Sequence, residues 1–373
     1  MLSTFPDAAE ALLSGLFACS RRFFALVQAE AGGKRVTEGE EYIYSAKAVK
    51  ELRERGQGNA KNFESQRKLA TDLKLVLLLA LGIITFDLLD SGLHAHSICR
   101  YALGMISSST SAMDSEAARG VRIGLEGNML PLVHLDTCNC LVRREIPLFQ
   151  LRLEEEGRRK PEGRIGVDRY IGLCVPLFAL LYDVCCVSRR MRELGVDSSC
   201  GVDEAESIYR ELSRIESAVR AWRPEIRKED AVRLTSNEIQ VVTTQAAVHQ
   251  QAVILFLHRL RFPFGEEYDL ATQMAAPILD DIQSLYGSKK EEESMPFEYR
   301  MALPFLIAAA ELQDETQRTQ ALSLLESIMW KRTYHKAGGF LERFIRHLWD
   351  ARDHGWRGHW IDLAEDRPPF VLF

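Results

Sequence analysis

The chain has 373 residues, 46% apolar and 27% charged, and its 47 lysines and arginines against 53 aspartates and glutamates leave a formal charge of −6. That balance excludes collagen-like, low-complexity and disordered chains. A protein that binds nucleic acid on its own carries a basic excess or a basic face, because phosphate neutralisation supplies most of its affinity, and neither is present here.

In chain order, a first helix is expected over residues 7–31, with Asp7 and Glu10 where a secretory signal would be basic, so export is not expected and the location is nuclear or cytoplasmic. A second is expected over 40–55 and a third over 62–90. The most apolar run of the third, residues 75–86, ends at Asp87 and is too short to span a hydrocarbon core of about 30 Å; it reads as a core helix, with no membrane partner. Helices over 95–107 and 120–128 follow. Residues 170–194 start almost wholly apolar and end in Arg189, Arg190 and Arg192 with Gly195 as a stop, and those cations favour the helix C-terminus. Over 203–224, Ile208, Leu212, Ile215, Val219 and Trp222 share one helix face, and over 314–332 Ala321, Leu324, Leu325, Ile328 and Met329 do the same. The remaining helices are 237–260, 268–286, 297–311 and 336–353.

No stretch alternates apolar and polar residues between hairpin turns. The chain is therefore expected to be all-α, a single large irregular helical bundle of about twelve helices, with residues 1–60 as N-terminal helices packed on a core built by 61–373. The breaks at 31–41, 153–166, 195–201 and 287–296 are charged or Gly/Ser-containing loops rather than linkers. No fixed repeat supports a solenoid.

Eight cysteines, at Cys19, Cys99, Cys138, Cys140, Cys174, Cys185, Cys186 and Cys200, include no C-x-x-C pair, so a zinc knuckle is not supported. The close pairs Cys138/Cys140 and Cys185/Cys186 read as small core residues of a reducing compartment. His94 and His96, with Asp87 and Asp90 nearby, have no third imidazole at helical spacing, and no metal or other cofactor is expected. Asp280-Asp281-Ile282-Gln283-Ser284 partly resembles the second magnesium motif of class I terpene cyclases, but Ser288 stands where that motif needs an acid. GxSxG, HExxH, P-loop and GxGxxG motifs are absent.

Trp222 with Pro224, residues 252–259 (AVILFLHR), and residues 303–308 (LPFLIA) followed by Glu311 and Arg318 resemble the C-terminal regulatory domain of fungal Zn2Cys6 transcription factors. Residues 79–106, the run from Gly172 to Phe178, and Trp349 with residues 359–362 (HWID) are similar to further parts of that domain in the same order. The resemblance covers roughly residues 70–370 and implies a helical effector domain. Members of that family carry a six-cysteine zinc cluster and a basic linker ahead of it. Here Met1 stands only a helix or two before the domain, so an effector region without its own DNA-binding module is expected.

The most suggestive segment is residues 243–250, where Thr244, Gln245 and His249 place hydroxyl, amide and imidazole groups in a helix otherwise rich in apolar residues, with Phe256 further along. Gln245 and His249 are i, i+4 and can share a hydrogen bond to a carbonyl of an apolar ligand; they can equally bond to backbone within the core. Two functions follow. The first is a regulator of secondary metabolism that binds an apolar small molecule (terpenoid, sterol or polyketide) or a protein partner. The second is a stand-alone biosynthetic enzyme from a gene cluster, using the same pocket for a cofactor-free cyclisation or Diels-Alder-type reaction, with His249, Gln245 or Arg100 as the activating donor.

Overall fold

The computed structural model describes residues 9–30, 40–58, 66–111, 115–151, 167–168, 170–195, 202–287, 300–329, 335–364 and 372. Among them are thirteen α-helices, a short 3-10 helix and no strand, with an isolated bridge between Asp168 and Gly172. The helices are α1 (Ala9–Glu30), α2 (Glu40–Gly58), α3 (Gln66–Asp90), α4 (Ala95–Ser111), α5 (Ser115–Arg143), α6 (Val175–Leu194), α7 (Val202–Ala221), α8 (Lys228–Ala231), α9 (Ser236–Arg261), α10 (Tyr268–Gly287), α11 (Ala302–Ala309), α12 (Glu315–Ile328) and α13 (His335–Asp353), followed by the 3-10 turn Trp360–Ala364. The all-α reading holds. Most of the loops expected from charge and glycine content, together with residues 7–8, 31, 62–65, 297–299 and 330–332 of expected helices, lie outside the described residues.

Several elements differ from their sequence pattern: the short α8 is not expected from it, α11 covers Ala302–Ala309 of the expected 297–311, and α5 and α6 differ at their ends. α5 runs fifteen residues past the expected end at residue 128. Pro131 removes one helical donor and so leaves the Gly127 carbonyl without its usual partner, yet the helix continues through it. Residues 132–142 are all buried, polar His134, Asp136, Thr137 and Asn139 included, so no amphipathic stripe marks them. α6 starts at Val175 rather than residue 170, because Gly172 takes φ +56° and Asp168 accepts hydrogen bonds from the amides of Tyr170 (2.8 Å) and Ile171 (3.0 Å), closing a turn first. Pro176 then sits in the first helical turn, where its missing N–H is harmless.

The chain divides into two compact units: Met1–Asp136 with Met329–Phe340 and Pro369–Val371, and Thr137–Ile328 with Leu341–Pro368 and Leu372–Phe373. In the first, α3 packs on α1, α2 and α4. Its segment Leu69–Asp90 is long and apolar enough to cross a membrane, with a mean hydropathy of 2.1, but 56% of its most apolar 18-residue window is buried within the protein, with Leu73, Leu75, Val76, Leu77 and Leu79 in the core. The Asp87 carboxylate accepts the amides of His94 (2.9 Å) and Ala95 (2.8 Å), satisfying donors at the start of α4. Asp90 ties three helices together through Arg22 (2.8 Å) and the Tyr42 hydroxyl (3.0 Å).

In the second unit, α9 opens with a capping box between Thr235 and Glu238, and α11 is buried along its whole length. A buried helix end must find partners for its last carbonyls, and here side chains supply them. The Trp349 indole N–H donates to Ala309 O (2.8 Å), Arg352 donates to Ala310 O (2.9 Å) and Leu312 O, and the Tyr268 hydroxyl donates to Glu311 O (3.2 Å). The Glu311 side chain, fully buried, forms a two-point ion pair with Arg259 at 2.8 and 2.6 Å. The remaining Arg259 nitrogen donates to the carbonyls of Phe262, Pro263 and Glu266 just beyond α9. Phe264 packs against both guanidinium groups, 5.3 Å from Arg259 and 5.4 Å from Arg352. Trp360 closes the core edge-on to Phe256 at 5.9 Å, and the Asn139 amide pairs with both backbone groups of Leu372 at 3.0 and 3.1 Å.

Removing one partner of a buried ion pair leaves the other charge uncompensated, at a cost of about 3–5 kcal/mol. Arg259→Met and Glu311→Leu should each lower the urea midpoint read by tryptophan fluorescence, and the double variant should lose less than the two single losses added together.

Candidate functional site

The polar segment of α9 owes its position to helical spacing: Gln245 and His249 fall on the buried side of the helix, 1% and 3% exposed, with Thr244 half-buried beside them. His249 Nδ1 lies 2.9 Å from the Gln245 carbonyl of its own helix. Burial pushes the imidazole below its ordinary value, against the backbone carbonyls of Gln245 and Arg300, which favour the protonated form. The Gln245 amide oxygen packs over Gly172, where a Cβ would stand only 2.6 Å from it. Its nitrogen Nε2 is buried without a hydrogen-bond partner. Phe256, 1% exposed, packs on Trp360.

Of the candidates named from sequence, Thr244, Gln245, His249 and Phe256 belong to α9 in the second unit and Arg100 to α4 in the first. Gln245 and His249 share a face, and Phe256 sits in the aromatic core. Arg100 Nη1 and His96 Nε2 lie 3.5 and 3.1 Å from the same oxygen of Asp136, a carboxylate 1% exposed. His94 is exposed and takes part through its backbone amide alone among these contacts.

Burial keeps Cys19, Cys138, Cys174 and Cys186 in the neutral thiol form, and Cys200 lies outside the described residues. Burial pushes the Cys138 and Cys174 thiols far up and that of Cys19 to about 11, while Cys99 Sγ donates to Leu132 O at 3.1 Å. A thiol held in this form is a weak nucleophile and a poor metal ligand. Asp281 of the DDIQS run is also pushed up, by burial and by Asp280 beside it.

One feature went unread in the sequence. An open cleft of about 540 Å³ runs between α12 and α13, lined by Glu315, Glu326, Glu342, Asp350 and Asp353 against the two cations Arg318 and Arg346. The signal was present as acids at helical spacing on both segments, but it becomes a surface only when the two helices are set side by side. A second cleft, of about 520 Å³, follows α2 from Tyr42 to Glu54.

The family model described as the fungal specific transcription factor domain matches residues 5–373. Neither the comparison with curated proteins nor that with solved structures finds a match.

Two measurements probe the α9 region. Gly172→Ala adds a strained left-handed residue and a contact with the Gln245 amide, and should cost about 1–3 kcal/mol; adding Gln245→Ala should restore the part due to the contact. The histidines predict a pH effect. His249 and His258 are both held below their ordinary value of 6.5, chiefly by burial, so as pH falls through about 6.5 the unfolded chain takes up protons that the folded chain refuses. The urea midpoint should fall from about pH 7.5 to about pH 5.5, and His249→Asn, which keeps a donor for the Gln245 carbonyl, should flatten part of that fall.

Proposed function

Because the chain belongs to the fungal specific transcription factor domain family, we propose that it is a regulator of transcription that acts in the nucleus by engaging a protein partner through its helical domain. The observation that carries this reading is the reach of the match, which takes in residues 5–373 rather than one motif. The 373 residues hold no cysteine run at zinc-cluster spacing and carry a net charge of −6, which supports contact with a partner over direct contact with phosphates.

The arrangement of α9 supports this over cofactor-free catalysis. Pre-organised donors converge on one reacting oxygen when they accelerate a reaction without metal or nucleophile. Here His249 turns Nδ1 to its own helix and Arg100 reaches the buried Asp136 carboxylate, which fits a framework role for both. Gln245 Nε2 is the one donor of the set left unpartnered; it fits an acceptor oxygen on an apolar metabolite, a second input to the same regulator. The target genes are read as those of secondary metabolism.

Deletion of the gene, followed by RNA sequencing and metabolite profiling, tests this. The regulatory reading expects a coordinated fall or rise in the transcripts of a gene set. Unchanged transcripts with one accumulated intermediate, converted by the purified protein, would replace it with the enzymatic reading.

A further inference from the structure

The cleft between α12 and α13 is built from one full face of each helix. On α12 the lining positions run Glu315, Arg318, Leu322, Glu326, and on α13 Glu342, Arg346, Trp349, Asp353, steps of three and four that keep to a single face. Each face covers eleven residue steps, about 16 Å at the helical rise of 1.5 Å. The two-point bond from Arg318 to Asp353, at 2.5 and 2.7 Å, joins the start of α12 to the end of α13. The groove is thus about three helical turns long, the span over which a helix in a groove presents its anchors.

Charge decides what fits it. Five carboxylates line the groove against two guanidinium groups, and each guanidinium is already engaged with a carboxylate of the groove, Arg318 with Asp353 and Arg346 with Glu342 at 2.8 Å. Glu315 stands 3.9 Å from Arg318 and Asp350 3.3 Å from His354, but the two side chains are 86% and 69% exposed, and exposed pairs of this kind are weak enough to exchange with an incoming cation. Trp349 is turned inward, its face 5.2 Å from Arg318 and its N–H on Ala309, so the floor is tied to the core and the walls are acidic. An apolar metabolite finds little here to bury, and an acidic segment is repelled.

We propose that this groove docks a lysine- and arginine-rich helical segment of a partner protein. The inference deepens the partner reading above and rests on it for its biological meaning. Opposite charges across the groove set register and speed encounter, while the packed floor limits what must be ordered on binding.

The test is fluorescence anisotropy of the full chain with a fluorescein-labelled (Lys-Ala-Ala-Arg)3 peptide, whose cations fall on one helix face, and with (Gln-Ala-Ala-Gln)3 as the neutral counterpart. The basic peptide should bind, and its affinity should fall with added salt. Glu315→Lys/Asp350→Lys should raise its Kd at least tenfold, and Glu315→Gln/Asp350→Asn should raise it by less. Glu206→Lys/Glu229→Lys, the same charge change on exposed residues of α7 and α8, should leave it within twofold. Far-UV circular dichroism checks that each variant is folded. No binding, equal binding of the neutral peptide, or an equal loss in the α7/α8 variant would overturn the proposal. The titration reads the groove alone and the transcript profile of the deletion strain reads the regulatory function, so either can fail while the other stands.

Discussion

The second unit depends on the buried pair between Arg259 and Glu311. Such a pair recovers its desolvation cost only when geometry is good and the remaining hydrogen-bonding capacity is used. Both conditions are met: Glu311 receives two bonds from one guanidinium, and the third nitrogen of Arg259 satisfies carbonyls of the turn that ends α9. One side chain thus terminates a helix of twenty-six residues and fixes the segment that follows α11. The backbone of Arg259 is used as well, since the His359 ring lies 3.0 Å from its carbonyl.

The same logic accounts for the neighbouring polar groups. An apolar helix as short as α11 has little intrinsic stability and, once buried, cannot leave its carbonyl end to water. Trp349, Arg352, Arg318 and Tyr268 take over the role that a glycine cap or solvent plays elsewhere. Arg352 is held below its ordinary value by burial, in keeping with a cation drawn into the protein to meet backbone oxygens. Trp349, Glu311, Arg318, Arg259, His359 and Trp360 all stand in segments that resemble the fungal family. Their structural roles here explain why such motifs identify a fold and leave the chemistry open.

What the sequence made legible follows from how burial is distributed. α7 has one buried and one charged face, and Ile208, Leu212, Ile215 and Val219 mark it at once. α5 is buried all round in its second half, so hydrophobic period has nothing to report there, and Pro131 argues against continuation. The division of the chain between Asp136 and Thr137 falls inside that helix, where no composition change can announce it. At α9 the spacing correctly put Gln245 and His249 on one face. What it could not supply was the partner of each polar atom, because the choice between a ligand and a backbone carbonyl is made by tertiary placement. The left-handed Gly172 under the Gln245 amide is a contact of that kind, between residues seventy-three apart in the chain.

The groove and the core share their residues. Arg318 donates to Leu312 O at 3.2 Å on one side and binds Asp353 on the other, and Trp349 caps α11 while forming the groove floor. The bonds that hold α11 in place therefore also fix the spacing of α12 and α13, and the acidic walls are presented on a framework that cannot relax without disturbing the core. A surface of that kind pays little conformational entropy on binding. Its five carboxylates outnumber its own two guanidinium groups, and that excess of negative charge draws a basic segment. Packing sets the shape of the groove and electrostatics sets what enters it, which makes Glu315 and Asp350, exposed and only weakly paired with Arg318 and His354, the positions where recognition can be altered while the fold is kept.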